Sequence, residues 1–588
     1  MQFFCVVVFN STLVSGKRML TDRHVITHPY RNCILIVLAL IVLSAGLGLR
    51  DPWPADEPRF TLIAKQMIES GEWLFPMRGG ELYSDKPPLF MWGIAVGYLA
   101  TGAMKVAFLL PSLLASLLTL ILTWDLGRRL WNAEIGFLAA LTLLFTVQFT
   151  LQAKTAQIDA LLTLFTTLGM YGFLRFLLLD GGWHWYYVGW FSGGLGIITK
   201  GVGFLVILLL IPAIWTHLSL IRHARWSSIV KILIGPLVML AAVSLWLLPM
   251  LWVTQHSTSH ILEAYRNDIL FHQTVTRYTH PWGHIKPVWY YVIQVIPIFW
   301  LPLSLLFPWL IRCWRDAIRQ DDKRVILLLG YMVLVILFFS ASPGKRGVYL
   351  TPVTPVLALL ASPWVMMLLL NYKWPPKLLR SLSWFLVFIW FVVTCILFIN
   401  NKLAFLGENL DALCGPLFLV SLGLLTITLL SRYAPLLGII LGLACSWLCY
   451  SILLYPSLND LRSQKTIMSK IAERVPQAES LLIVGFKEQF LLFSHQPIWH
   501  YAYRMNQSEQ ARESASWIQA GPHRWILGPP QILASCFNLT KQHNLGHRHG
   551  TDWLLVNVTD LKSDCYARNP SVAPYLYVPK DLQMMRRS

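Results

Sequence analysis

The chain has 588 residues, of which 56% are hydrophobic and only 13% charged, with 26 tryptophans and 33 prolines. Its mean hydropathy of +0.55 excludes an ordinary soluble enzyme and reads as a polytopic membrane protein. The formal net charge of +19 could belong to a nucleic-acid binder, but the basic residues sit mostly in short gaps between apolar runs, where they serve topology and anionic-lipid contact rather than a nucleic-acid groove.

In chain order, the first sixteen residues are apolar but lack a basic leader and are too short to cross a bilayer. Met19, just after Lys17 and Arg18, is a candidate start of translation. Apolar runs of spanning length predict helices near 32–50, 106–126, 134–153, 159–179, 184–199, 202–219 and 231–252. Six more follow near 288–311, 325–341, 348–370, 381–399, 412–431 and 435–455, about thirteen in all. The basic gaps holding Arg128 and Arg129, Arg222 to Lys231, Arg312 to Arg324 and Lys373 to Arg380 then share one side with Lys17, Arg18, Arg23 and Arg31. That side is the cytoplasm, so the N-terminus lies inside and the C-terminal region outside.

The run at 89–101 is apolar but short, and a crossing there would invert every later basic loop. It is therefore predicted as an interfacial or re-entrant helix, which makes residues 51–105 one outer-face loop. A second outer loop, 254–287, holds His256, His260, His272, His280 and His284. No pair has the i, i+4 plus carboxylate pattern of a convincing site except the loose His256 and His260, so no metal site is assigned. From 456 to 588 the sequence turns mixed, with SLLIVGF and DWLLVNV as short buried strands and IMSKIAERV as a helix, which predicts a small outer α/β domain. Cys445 and Cys449, one turn apart in an apolar run, read as packing, whereas Cys536 and Cys565 could pair if their region faces an oxidising compartment.

The polar stretch 53–88, WPADEPRFTLIAKQMIESGEWLFPMRGGELYSDKPP, interrupts this apolar sequence. Read from spacing alone, it is either a solvated loop or a site handling phosphate and sugar. The order of Trp53, Asp56, Glu57, Arg59, Gly71-Glu72-Trp73, Tyr83 and Asp85-Lys86-Pro87-Pro88 resembles the opening signature of the polyprenyl-phosphate-sugar glycosyltransferases, the group of lipid A aminoarabinose transferases and protein O-mannosyltransferases. Phe60 and Asp85 stand where that family usually has Tyr and Glu. The likeness extends to Asp159 in an Ala-x-x-Asp setting, to Lys200 in Thr-Lys-Gly, to His284 before Trp-Tyr-Tyr, and to Lys345, Arg346 and Tyr349 in a basic turn.

The resemblance implies a C-type glycosyltransferase architecture and an inverting transfer. Its domains would be a cytoplasmic segment at 1–31, a transmembrane transferase domain at 32–455 and a periplasmic α/β domain at 456–588. The donor would be a polyprenyl-phosphate-linked sugar, and the acceptor lipid A or another envelope glycan, at the outer face of a bacterial inner membrane. Asp56, Glu57 and Asp159 are then the candidate catalytic residues. Arg59, Tyr83, Asp85, Lys86, Lys200, His284, Lys345, Arg346 and Tyr349 are the candidate substrate-binding set. Glycosyl transfer builds positive charge on the sugar and negative charge on the departing phosphate, so cations such as Lys86 and Arg346 would steady the leaving group.

Two roles stay open for Asp56 and Glu57. With a hydroxyl acceptor Asp56 could act as general base; with a phosphate acceptor the acids would orient the sugar, or could together hold a divalent cation. No resident cofactor is otherwise assigned. Protein O-mannosylation is the alternative within the family. A lipid flippase or transporter is the alternative from another class, disfavoured because the ionisable residues gather at one face.

Overall fold

Long apolar helices dominate the computed structural model, which describes residues 30–216, 226–271, 284–399, 411–503, 505–540, 544–563, 565 and 572–579. Among the described residues eight helices are long and apolar enough to cross a membrane, or up to ten if each of two bent pairs counts as one span. The chain is thus a mainly α, multi-pass membrane protein, and the expected count of thirteen spans is not confirmed among the described residues. Tyr30–Ser44 has only 15 residues, about 22 Å of helix against a hydrocarbon core of about 30 Å. Trp183–Lys200 is 18 residues long but is diluted by His184, Lys200 and its glycines.

Two predicted spans are broken. The run at 134–153 forms Ala133–Leu144 and Val147–Ala153, bent by 68°, and the run at 288–311 forms Tyr291–Phe299 and Leu303–Arg319, bent by 111°. Pro297, Pro302 and Pro308 remove backbone donors through the second break. The predicted span at 202–219 begins as a 3-10 helix, Val202–Leu209, and continues as Leu210–Thr216. Met19, Lys17, Arg18, Arg23, Arg222, Arg225, His272 and His280 lie outside the described residues.

The outer segment folds into helix α1 (Glu57–Ser70), a hairpin of β1 (Met77–Arg78) and β2 (Glu81–Leu82), and helix α2 (Leu89–Thr101). Helix α1 is apolar on two sides, and each side has its own core. Phe60, Ile63, Ala64 and Met67 pack with Tyr83 and with Phe90, Met91 and Ile94 of α2. Leu62, fully buried, instead enters the core of the C-terminal domain beside Met468, Phe490 and Trp553. Burying a leucine is worth about 1.5–3 kcal/mol, so α1 is held between membrane and outer domains. Two further helices approach it: α3 (Ile158–Leu178) and α4 (Trp183–Lys200), which pack extensively on each other through Phe173 against Tyr186 and Trp190.

The C-terminal region forms a six-stranded mixed sheet of β3 (Ser480–Ile483), β4 (Ile498–His500), β5 (Arg524–Gly528), β6 (Asn544–Arg548), β7 (Thr551–Asn557) and β8 (Tyr575–Tyr577), in the order β6-β7-β5-β3-β4-β8. Strand β3 runs parallel to both β4 and β5, while β7 and β8 join antiparallel. The strands predicted from SLLIVGF and DWLLVNV are β3 and β7, and the predicted helix is Lys465–Arg474. Cys536 and Cys565 are disulfide-bonded, with Cα atoms 5.2 Å apart.

Candidate active site

The site begins with a buried brace. Arg50 is fully enclosed, its guanidinium set among the rings of Trp53, Phe108 and Tyr455 at 4.8, 5.2 and 5.0 Å. It donates through both terminal nitrogens to Glu57, one bond measuring 2.7 Å, and to the carbonyl of Lys154 at 3.0 Å. Glu57 also accepts from the backbone N–H of Trp53 at 2.7 Å and of Ala156 at 3.0 Å. Those four bonds occupy its carboxylate. Glu57 thus ties the start of α1 to the turn before Asp159, while its neighbour turns to other arginines.

That neighbour, Asp56, takes a bond from Arg346 at 3.0 Å and faces Arg59 at 3.6 Å. Burial raises the Asp56 carboxyl, but the charges of Arg346, Arg59 and Lys200 outweigh it and hold the group below the usual carboxylate range. Asp56 therefore stays ionised at neutral pH and is a weak proton acceptor. At the head of α3, Asp159 is buried and takes an ion pair from Lys200, the last residue of α4, at 2.5 Å. The Lys200 ammonium also lies 4.4 Å from the centre of the Tyr349 ring. Residues from α1, α3, α4 and the turn before Tyr349 thus meet in one network.

Arg59 extends the network outward. Its charge acts on the buried Tyr83, whose phenol is pushed up by burial and by Asp85 while the cations Arg59 and Arg78 oppose the shift. Lys86, next to Asp85, donates to the Asp85 carbonyl at 2.7 Å. Asp85 and Lys86 thus lie beside Tyr83 at the outer end of the network. The sequence reading missed Glu488, which reaches from the outer domain to Arg59 at 3.6 Å and to Arg78 at 2.5 Å. The available signal was an acid just past a predicted strand end, where loops of α/β sheets commonly carry function.

Lys345 and His284 meet through the backbone. Lys345 is buried, with its ammonium on the carbonyls of Lys286 at 3.0 Å and Ser342. His284 is exposed at a φ of 59°, and its carbonyl accepts the Lys345 N–H at 3.0 Å. Lys345 thereby staples the second outer loop to the turn that presents Arg346. Among the described residues no group of three or more His, Cys, Asp or Glu side chains could hold a metal ion. Asp56 and Glu57 also turn to different arginines, so the pair does not form the divalent-cation site considered above.

Residues 85–248 match the family described as dolichyl-phosphate-mannose-protein mannosyltransferase. An undecaprenyl phosphate-alpha-4-amino-4-deoxy-L-arabinose arabinosyl transferase from Pseudomonas savastanoi pv. phaseolicola is 28% identical over 341 residues, 56% of this chain and 60% of that protein. The protein of the same name from Pseudomonas aeruginosa is 30% identical over 336 residues, 55% and 58% of the two chains. The sequence match therefore spans less than two thirds of those relatives' own length. Crystalline ArnT from Cupriavidus metallidurans bound to undecaprenyl phosphate superposes with a TM-score of 0.67 at 19% identity, covering 92% of this chain and 99% of the other. Archaeal oligosaccharyltransferase AglB from Archaeoglobus fulgidus gives 0.50 at 10% identity, covering 86% and 70%. These likenesses show a shared fold.

Proposed function

We propose that this chain, a member of the polyprenyl-phosphate-sugar glycosyltransferase family, transfers a sugar from a polyprenyl-phosphate carrier to an envelope acceptor, with lipid A as acceptor and aminoarabinose as the sugar. The observation that carries this reading is the network of Asp56, Arg59, Arg346, Asp159 and Lys200, drawn from four separate parts of the chain. An acceptor oxygen attacks the anomeric carbon while the bond from that carbon to the carrier phosphate breaks. The phosphate leaves with the electron pair. Arg59 and Arg346 face the charge it gains, and each such contact in a shielded site is worth about 2–4 kcal/mol. Lys86 is the third candidate cation.

The low pKa of Asp56 favours an acceptor that needs no general base. A lipid A phosphate is already ionised at neutral pH, whereas a protein hydroxyl must lose its proton as it attacks. Asp56 then serves as a fixed negative charge that aims Arg346 and faces the positive sugar. Asp159 and Lys200 form the inner wall of the same site, with Tyr349 over Lys200. Protein O-mannosylation is the second reading, favoured by the match of residues 85–248 to a protein mannosyltransferase family.

The transferase domain occupies 32–455 and the outer domain 456–588, with the N-terminal 1–31 in the cytoplasm and the site and C-terminus in the periplasm of a bacterial inner membrane. The basic loops support this orientation, and so does the Cys536–Cys565 bond, since disulfides persist in oxidising compartments. The test is mass spectrometry of envelope lipids from cells lacking the chromosomal copy and carrying wild type, Asp56→Ala or Arg346→Ala. The reading requires a pentosamine on lipid A with wild type alone. A normal lipid A profile in all three strains, beside mannosylated envelope proteins with wild type alone, selects the second reading.

A further inference from the structure

In open α/β sheets ligands bind outside the carboxyl ends of the parallel strands, where the strand order reverses. Here β3 is the reversal strand, with β5 on one side and β4 on the other. Its carboxyl end runs into Gly485, Phe486, Lys487 and Glu488, and that of β4 ends at His500. The edge is already occupied by the chain itself. The β1–β2 turn, Gly79–Gly80, has φ of 62° and 85°. A Cβ on Gly79 would lie 2.9 Å from Phe486 and 3.0 Å from His500, and one on Gly80 would lie 2.7 Å from Tyr575. Both glycines are needed for conformation and for approach.

The three rings form a continuous saddle: Phe486 and His500 centroids are 5.0 Å apart, and His500 and Tyr575 are stacked at 6.0 Å. Burial pushes the His500 imidazole down to about 4, so it acts as a neutral aromatic plate at physiological pH. One residue before the turn, Arg78 lies 3.7 Å from the centre of the Tyr503 ring and pairs with Glu488. Glu488 also faces Arg59. Immediately after β2 come Tyr83, Asp85 and Lys86.

We infer that the outer domain is a positioning part of the active site: its sheet edge grips the 77–82 hairpin, and Glu488 is the positioning residue that aims Arg59. The inference rests on the transferase reading for its effect on rate, but the grip itself does not. Removing the Glu488 charge frees Arg59 to turn wholly to Asp56. The electrostatic aim at the departing phosphate then weakens, and the loss falls on the rate of transfer.

The test uses the full chain in lipid nanodiscs, with undecaprenyl-phosphate-linked aminoarabinose as donor and lipid A as acceptor. For Glu488→Gln the expected result is a kcat at least tenfold lower with the donor KM within twofold, and Glu488→Asp should return to within threefold of wild type. Amide hydrogen exchange over 77–86 should quicken at least tenfold in Glu488→Gln and in Phe486→Ala, with the membrane helices unchanged. A wild-type kcat in Glu488→Gln overturns the positioning role, and unchanged exchange in both variants overturns the grip. If wild type transfers no sugar but exchange responds as stated, the transferase reading falls and the grip stands.

Discussion

Asp56 and Arg346 are separated by 290 positions in the chain and meet at 3.0 Å. The pair fixes the outer loop that opens the chain to the turn preceding Tyr349, and Lys345 holds that turn by two backbone carbonyls. Replacing Arg346 by Lys keeps the charge but removes the planar fork. Transfer by Arg346→Lys is expected to fall about 10-fold, and by Arg346→Ala about 100-fold to 1,000-fold, the scale of losing one charge-stabilising donor. Steady-state transfer rates at saturating donor measure both.

The brace behind them should behave differently. Glu57→Gln leaves the enclosed Arg50 charge without its partner, a change that typically costs about 3–5 kcal/mol. A lower unfolding temperature in detergent, with the surviving folded fraction still able to transfer sugar, is the expected outcome. The double variant Arg50→Met with Glu57→Gln should recover much of the loss. Glu57→Gln with wild-type stability and no transfer would instead assign Glu57 a catalytic role.

Asp159 and Lys200 call for a double-mutant cycle. Each single change, Asp159→Asn or Lys200→Met, leaves one buried charge behind, and the pair of changes leaves none. The combined loss of stability in thermal unfolding is therefore expected to be smaller than the sum of the two single losses. Activity should be low in all three, since the pair forms the inner wall of the proposed site.

The pH dependence follows from the lowered Asp56 carboxyl, where burial opposes the shift and Arg346, Arg59 and Lys200 overcome it. A group whose folded pKa is depressed adds stability above its unfolded value, near 3.9, and loses it as pH falls through the folded value. Asp56 should therefore contribute no acid limb to transfer above about pH 4. Arg346→Met removes the first-named cation and should move an acid limb upward. Rate profiles of wild type and Arg346→Met from pH 7 to the acid limit of the assay give the comparison.

The Cys536–Cys565 bond closes a separation of 29 residues, for which the chain-entropy estimate is about 3–4 kcal/mol. Cys536→Ser with Cys565→Ser should lower the unfolding temperature of the outer domain and leave the membrane helices folded. Circular dichroism at a sheet-sensitive wavelength, with and without reductant, follows that domain.

Much of this protein was legible in its sequence. Composition and apolar runs specify a multi-pass helical protein, because a bilayer accepts only backbone whose polar groups are satisfied within each segment. The motifs at 53–88, Asp159, Lys200 and 345–349 carried the family likeness, because charge beside a membrane is costly and stands out locally. The thirteen-span count is not confirmed among the described residues, since length and apolarity cannot reveal bends of 68° and 111°. Nor could adjacency separate Asp56 from Glu57. One faces Arg346 and the other Arg50, because successive residues at a helix start point about 100° apart and meet different neighbours. Glu488 was invisible for the same reason on a larger scale. Its partners, Arg59 and Arg78, lie more than four hundred positions earlier, and tertiary packing, with Leu62 in the outer-domain core and the 77–82 hairpin on the sheet edge, brings them together.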